Sequence, residues 1–179
     1  MEFHGSKTEK NLLTAFTGES HARNKYVFYA KEAKKAGYIQ LADVYTETAG
    51  NEEEHAKIWF KHLHDGDISD TITNLKDCIE NETYEHVTMY PTFAREAQEE
   101  GFDEIAEHFR HVAEVEGMHQ RRFESYLGDI INKECFEKDS EVIWECSKCG
   151  YTCKTRTAPT KCPVCSHPQG YFFEECETY

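Results

Sequence analysis

The chain has 179 residues, enough for one sizeable core or for a core plus a small appendage. A charged fraction of 30% and a hydrophobic fraction of 39% suit a globular protein and not a disordered one, and a net charge of −14 argues against nucleic acid or an anionic membrane as partner. No apolar run approaches the ~18 residues of a membrane span, and the first residues, Met1 to Lys7, lack the features of a secretory signal, so a cytoplasmic location is expected.

From Lys7 to Ile131 the pattern predicts helix almost throughout, with glycines 37, 66, 101 and 128 as breaks. Four helices are expected over about 7–36, 38–64, 69–99 and 102–131, and their short connections favour antiparallel neighbours in a four-helix bundle. Pro91 should kink the third helix, because it lacks an N–H and its ring crowds the Val87 carbonyl. Residues 133–143 read as a polar linker. From Trp144 the composition shifts to cysteine, aromatics, proline and glycine, and residues 144–179 are too few to fold on a hydrophobic core alone. The expected domains are thus 1–132 (bundle), 133–143 (linker) and 144–179 (a stapled metal-knuckle domain).

Residues 3, 4 and 7 apart share a helix face. On the second helix that face carries Leu41, Val44, Tyr45 and Thr48, then Glu52 and His55, then Ile58 and Trp59. Glu52 and His55 therefore fall on the inward stripe, while Glu53 and Glu54 turn to solvent. Glu19 interrupts the stripe of the first helix. Glu82 and Glu85 interrupt the third, which also carries His86. In the fourth, Glu116 and His119 stand between Val112 and Phe123, on a stripe that runs from Ile105 to Tyr126 and Ile130.

Five inward carboxylates, with too few lysines or arginines on these stripes to pair them (Arg23 is the nearest candidate), would each carry a large burial cost unless a multivalent cation neutralised them. The two Glu-x-x-His units, Glu52…His55 and Glu116…His119, let an oxygen and an imidazole nitrogen meet at one point. Two such units plus a lone glutamate on each other helix is the ligand pattern of ferritin-like di-iron and di-manganese bundles. Glu19 to Glu52 is 33 residues and Glu82 to Glu116 is 34, which suggests two repeated hairpins. Glu85 is a fifth carboxylate without a counterpart beside Glu19.

Of eight cysteines, Cys146, Cys149, Cys162 and Cys165 form two Cys-x-x-Cys knuckles. Four thiolates suit tetrahedral iron or zinc. Cys78, Cys135, Cys153 and Cys176 read as unliganded thiols.

Taken in order, Thr14–Tyr26, Glu52–Lys57, Glu82–Glu85, Met89–Ala94, Glu116–His119, Trp144–Tyr151 and Cys162–Pro168 resemble the rubrerythrin family over essentially the whole chain. The resemblance implies a mainly α, ferritin-like four-helix bundle followed by a small rubredoxin-like domain. It implies two non-haem irons, with Glu52 and Glu116 bridging, Glu19 terminal on one iron, and Glu82 and His119 terminal on the other. His55 and Glu85 would exchange on the first iron with oxidation state, and Tyr26 and Tyr90 would lie near the carboxylates. One further iron would sit in the four-cysteine site, where zinc could substitute. Thr88 departs from the family, whose members often carry a glutamate there.

The implied activity is reduction of hydrogen peroxide in oxidative-stress defence. With no Gly-x-Gly-x-x-Gly fingerprint, NADH would act through a separate reductase or rubredoxin. A head-to-tail homodimer is implied by resemblance alone. Ferroxidase or iron storage, or a zinc-ribbon interaction protein, are the competing expectations.

Overall fold

The computed structural model describes residues 2–175. The first helix begins where Ser6 can cap it: its hydroxyl accepts the Glu9 amide at 3.0 Å, while the Glu9 carboxylate accepts the Gly5 amide at 2.6 Å. One donor that a helix start leaves open, and the amide of the residue before the cap, are thereby satisfied. Helix α1 runs Lys7–Lys35 and α2 runs Ile39–Leu63. Gly37, at φ 84°, takes the left-handed turn between them. There the Tyr38 amide donates to the Ala33 carbonyl at 2.9 Å, and the Gly37 amide to that of Lys34 at 3.1 Å, closing α1 in a Schellman turn.

The second hairpin repeats this construction. It comprises α3 (Thr71–Tyr84), a π-helical segment (Glu85–Met89), α4 (Tyr90–Glu99) and α5 (Asp103–Asn132). Gly101, at φ 86°, makes the turn, and the Phe102 amide donates to the Ala97 carbonyl at 2.8 Å. From this turn onward, residues match those 64 positions earlier: Ala106 with Ala42, Ala113 with Ala49, Glu116 with Glu52, His119 with His55. Aromatic packing repeats too. The Tyr26–Tyr29, Tyr26–Tyr45 and Tyr29–Tyr45 centroids lie 6.4, 6.2 and 5.8 Å apart. Those of Tyr90–Phe93, Tyr90–Phe109 and Phe93–Phe109 lie 6.4, 5.9 and 5.6 Å apart.

The repeat has one insertion. Glu82 precedes Gly101 by one residue more than Glu19 precedes Gly37. An added residue would rotate everything before it by about 100° around the helix axis. The π segment absorbs it: the Tyr90 amide donates to the Glu85 carbonyl, five residues back. The kink expected at Pro91 is therefore a π-bulge, with Pro91 in the first turn of α4, where its missing N–H is tolerated.

Small residues form the seam of each hairpin. Ala33, Ala42, Ala49 and Ala56 are buried in the first, and Ala94, Ala97, Ala106, Ala113 and Gly117 in the second. Alanines seven apart let two helix backbones approach closely. Several large residues of the expected stripes, Leu41, Val44, Ile58, Ile105 and Tyr126, are exposed instead. Gly128 does not break α5, which ends at Lys133 in a left-handed conformation.

Residues expected as linker are largely strand. Strand β1 (Glu137–Cys146) pairs antiparallel with β2 (Thr152–Thr157) and β3 (Phe172–Glu174), in the order β2-β1-β3. The polar residues 137–141 read as linker because strand formation there rests on ladder hydrogen bonds and not on a buried face. Trp144, Cys146, Ala158, Cys162 and Phe172 form the small core, and the Trp144 indole N–H donates to the Thr155 carbonyl at 3.1 Å. The chain packs as two compact units, Met1–Ser69 and Asp70–Tyr179, a division that falls inside the expected 1–132 region. Among the described residues, no helix is long and apolar enough to cross a membrane.

Candidate metal centres

In the first hairpin, ligand atoms of Glu19, Glu52 and His55 lie within 4.8 Å of one another. His55 Nδ1 is 2.9 Å from a Glu52 oxygen and 3.9 Å from a Glu19 oxygen. Helix geometry sorts the three consecutive glutamates as the sequence predicts. The side chain of Glu52 is 16% exposed, against 62% for Glu53 and 66% for Glu54.

In the second hairpin, Glu82, Glu116 and His119 form the matching set, again within 4.8 Å. His119 Nδ1 lies 2.6 Å from Glu116 and 3.6 Å from Glu82. Burial, a hydrogen bond with Glu116 and the Glu116 charge push the Glu82 carboxyl above its ordinary range, outweighing the pull of His119. A carboxyl so perturbed beside a second carboxylate and an imidazole marks a candidate cation site. Two carboxylates and one imidazole suit iron, manganese or zinc.

Glu85 stands outside that close group, half-buried, with the Asn81 amide donating to it at 3.2 Å. Its charge nonetheless reaches the site, for it helps raise Glu82. Tyr90 senses the same cluster: burial, then the charges of Glu85, Glu116 and Glu82, push its phenol up. Tyr26, its counterpart in the first hairpin, stacks on Tyr45.

Residue spacing alone does not reveal the contact that joins the π segment to α5. His86 packs directly on Gly117, and its ring nitrogen donates to the Ala113 carbonyl at 2.6 Å. The available signal was a glycine in mid-helix between Glu116 and His119, a position that usually marks a close approach.

In the small domain, Cys146, Cys149, Cys162 and Cys165 converge, with Sγ separations of 3.6 Å (Cys146–Cys165) and 3.7 Å (Cys149–Cys162). A tetrahedron with ~2.3 Å metal–sulfur bonds has edges of about 3.8 Å. The cage already fits. Each knuckle is followed by a left-handed residue, Gly150 at φ 71° and Ser166 at φ 63°, which folds backbone amides toward the sulfurs. A hydrogen bond from the Tyr151 amide pulls the Cys149 thiol down, but burial and the three neighbouring thiols carry it up to about 12. Burial raises Cys162, yet the amides of Cys165 and Val164 and the Cys165 and Cys149 thiols bring it down to about 7. Crowded thiols compete for one negative charge, and a cation would relieve that competition.

Cys78, Cys135 and Cys153 are free, half-buried thiols, and Cys153 packs against the small core. Cys176 lies outside the described residues.

Two helical hairpins carrying repeated glutamate–histidine ligand sets, followed by a four-thiolate knuckle domain, define a ferritin-like di-iron protein with a rubredoxin-like domain. Comparison with known proteins gives the same class. A family model described as Rubrerythrin matches residues 10–127, and one described as Rubrerythrin, rubredoxin-like domain matches residues 144–173. The chain belongs to the rubrerythrin family. It is 46% identical to the rubrerythrin of Porphyromonas gingivalis, over 94% of this chain and 90% of that protein. It is 43% identical to rubrerythrin-1 of Clostridium acetobutylicum, over 98% and 97%, and 43% identical to the rubrerythrin of Nitratidesulfovibrio vulgaris, over 94% of each. A solved structure of partially reduced nigerythrin is 30% identical over 97% of this chain and 89% of that one, with a TM-score of 0.36.

Proposed function

We propose that this chain is a non-haem di-iron peroxidase that reduces hydrogen peroxide to water in cytoplasmic oxidative-stress defence. NADH supplies the electrons through a separate reductase or rubredoxin, and they enter at the four-cysteine centre. The observation that carries the reading is the recurrence of one ligand set, a lone glutamate with Glu-x-x-His, in both hairpins. Membership of a family known for di-iron oxidative-stress defence supports it.

The net reaction takes one peroxide, two electrons and two protons to two waters, and iron bound by these residues would supply the one-electron redox chemistry that this needs. The chain's part is to hold charge and shape. Glu52 and Glu116 would be the carboxylates shared by the two irons, with Glu19 as a further ligand of one and Glu82 and His119 as further ligands of the other. His55 and Glu85 would both be available to the first iron, a carboxylate suiting the more highly charged ion and an imidazole the less charged one. Tyr90, and Tyr26 in the first hairpin, restrain the carboxylates near them. Cys146, Cys149, Cys162 and Cys165 would hold the relay iron. The bundle function belongs to residues 1–132 and the relay to 144–179, with a head-to-tail homodimer bringing one to the other.

Steady-state assay of the iron-loaded chain with NADH and an added rubredoxin reductase system tests this reading. Peroxide-dependent NADH oxidation is expected for the parent and should be lost in Cys162→Ser. No turnover by the parent, or undiminished turnover by the variant, contradicts it. Iron contents far above two bundle ions and one thiolate-bound ion per chain indicate storage instead.

A further inference from the structure

Of the ten glycines, Gly117 alone has neighbours among the described residues that an added Cβ would meet: His86 Cε1 at 2.9 Å, Nδ1 at 3.0 Å and Nε2 at 3.1 Å. The imidazole therefore occupies space that exists only over bare backbone. It is held there by Nδ1–H, which donates to the Ala113 carbonyl at 2.6 Å, one turn earlier on α5. His86 directly follows Glu85, and Gly117 directly follows Glu116. The contact thus joins the chain neighbours of two site carboxylates.

The first hairpin solves the same place differently. Allowing for the single inserted residue, His86 matches Arg23 and Gly117 matches Glu53. These two form an exposed ion pair at 3.5 Å, an interaction that tolerates considerable play. The rigid version occurs in the hairpin that has the π segment, and that hairpin carries the surplus Glu85 where the first has Ala22.

We propose that His86 is a positioning residue: wedged on Gly117 and bonded to the Ala113 carbonyl, it clamps the π segment to α5 and thereby sets the reach of Glu85 toward Glu82 and Glu116. With the backbone clamped, Glu85 approaches or leaves a bound metal by side-chain rotation alone. The proposal rests on the di-metal reading above.

Cobalt(II) titration of the metal-free full chain tests it. Carboxylate–imidazole cobalt and thiolate cobalt have separable visible spectra, so the small domain serves as an internal reference. His86→Ala and Gly117→Ala should each weaken one of the two bundle equivalents by about tenfold or more, the usual range for a lost supporting contact, while the thiolate bands hold. His86→Asn, whose amide N–H can replace Nδ1–H, should recover most of the loss. The double variant His86→Ala/Gly117→Ala should bind no worse than His86→Ala, because the added methyl then meets nothing. Additive losses, an unaffected Gly117→Ala, or equal weakening of both bundle equivalents and the thiolate site would overturn the clamp. A parent chain that binds cobalt only at the thiolates overturns the di-metal reading, and the clamp with it.

Discussion

Trp144 is the sharpest lever on the small domain. It is 1% exposed, it is the largest member of a core that otherwise consists of two cysteines of the thiolate cage, an alanine and a phenylalanine, and its N–H is bonded to the Thr155 carbonyl. Burying an aromatic of this size removes about 150–250 Å² from water, which at ~25 cal/mol/Å² is roughly 4–6 kcal/mol as an upper bound. Truncations of buried Phe or Trp to Ala cost about 3–5 kcal/mol. The Thr155 carbonyl adds little, since Thr155 is exposed and water can replace the indole. A domain of this size has no such reserve without its metal. Trp144→Ala should therefore accelerate iron loss to an excess of chelator by about 10²–10³-fold, at ~1.4 kcal/mol per decade. The thiolate–iron absorbance reports the loss directly. Trp144→Phe, which keeps most of the apolar contact, should stay within about tenfold of the parent. A change in release rate of less than about threefold in Trp144→Ala would contradict this dependence on the indole. So would a helical circular dichroism melt that falls as far as the small domain's.

Glu52→Ala and His119→Ala should each lower bundle metal occupancy by at least about 100-fold, measured by iron content, while the thiolate spectrum survives; full occupancy in either would remove that residue from the ligand set. Cys162→Ser should abolish the thiolate–iron band yet leave peroxide able to oxidise ferrous iron in the bundle, followed anaerobically by stopped flow. Glu82 gives a pH-dependent outcome. Its folded-state carboxyl is raised above the ordinary 4.5 by burial and by Glu116. Between those two values the folded metal-free chain holds a proton that the unfolded chain has released, so stability falls as pH rises through the window and stays lower at neutral pH. Glu82→Gln should therefore raise the melting temperature of metal-free protein at pH 7, with no gain below about pH 4, while weakening cobalt binding. A lower melting temperature at pH 7 would contradict this.

Much of this architecture is readable from residue spacing. The helix boundaries follow from Ser6 and from the left-handed turns at Gly37 and Gly101, and helix periodicity separates Glu52 from Glu53 and Glu54. The knuckles are explicit in Cys-x-x-Cys. Other features depend on tertiary context. The sequence shows an extra residue between Glu82 and Gly101, but a kink at Pro91 and a π-bulge before it are equally consistent with that count. Large apolar residues dominate a periodicity search, so the alanine seams stayed hidden although Ala42, Ala49 and Ala56 repeat every seven residues. Residues 137–141 look like a linker because their pairing with the sheet comes from backbone groups, which composition does not register. The fit of His86 on Gly117 required knowing that α5 passes beside the π segment.

Anaerobic peroxide titration of the fully reduced, iron-loaded chain tests the central claim most directly, with the bundle and thiolate irons followed by their separate spectra. Each peroxide added should oxidise two bundle ferrous ions and yield two waters, before the thiolate iron is bleached or coloured by direct attack. Bundle iron that stays ferrous in the presence of peroxide, or peroxide that persists unreduced, would contradict the account.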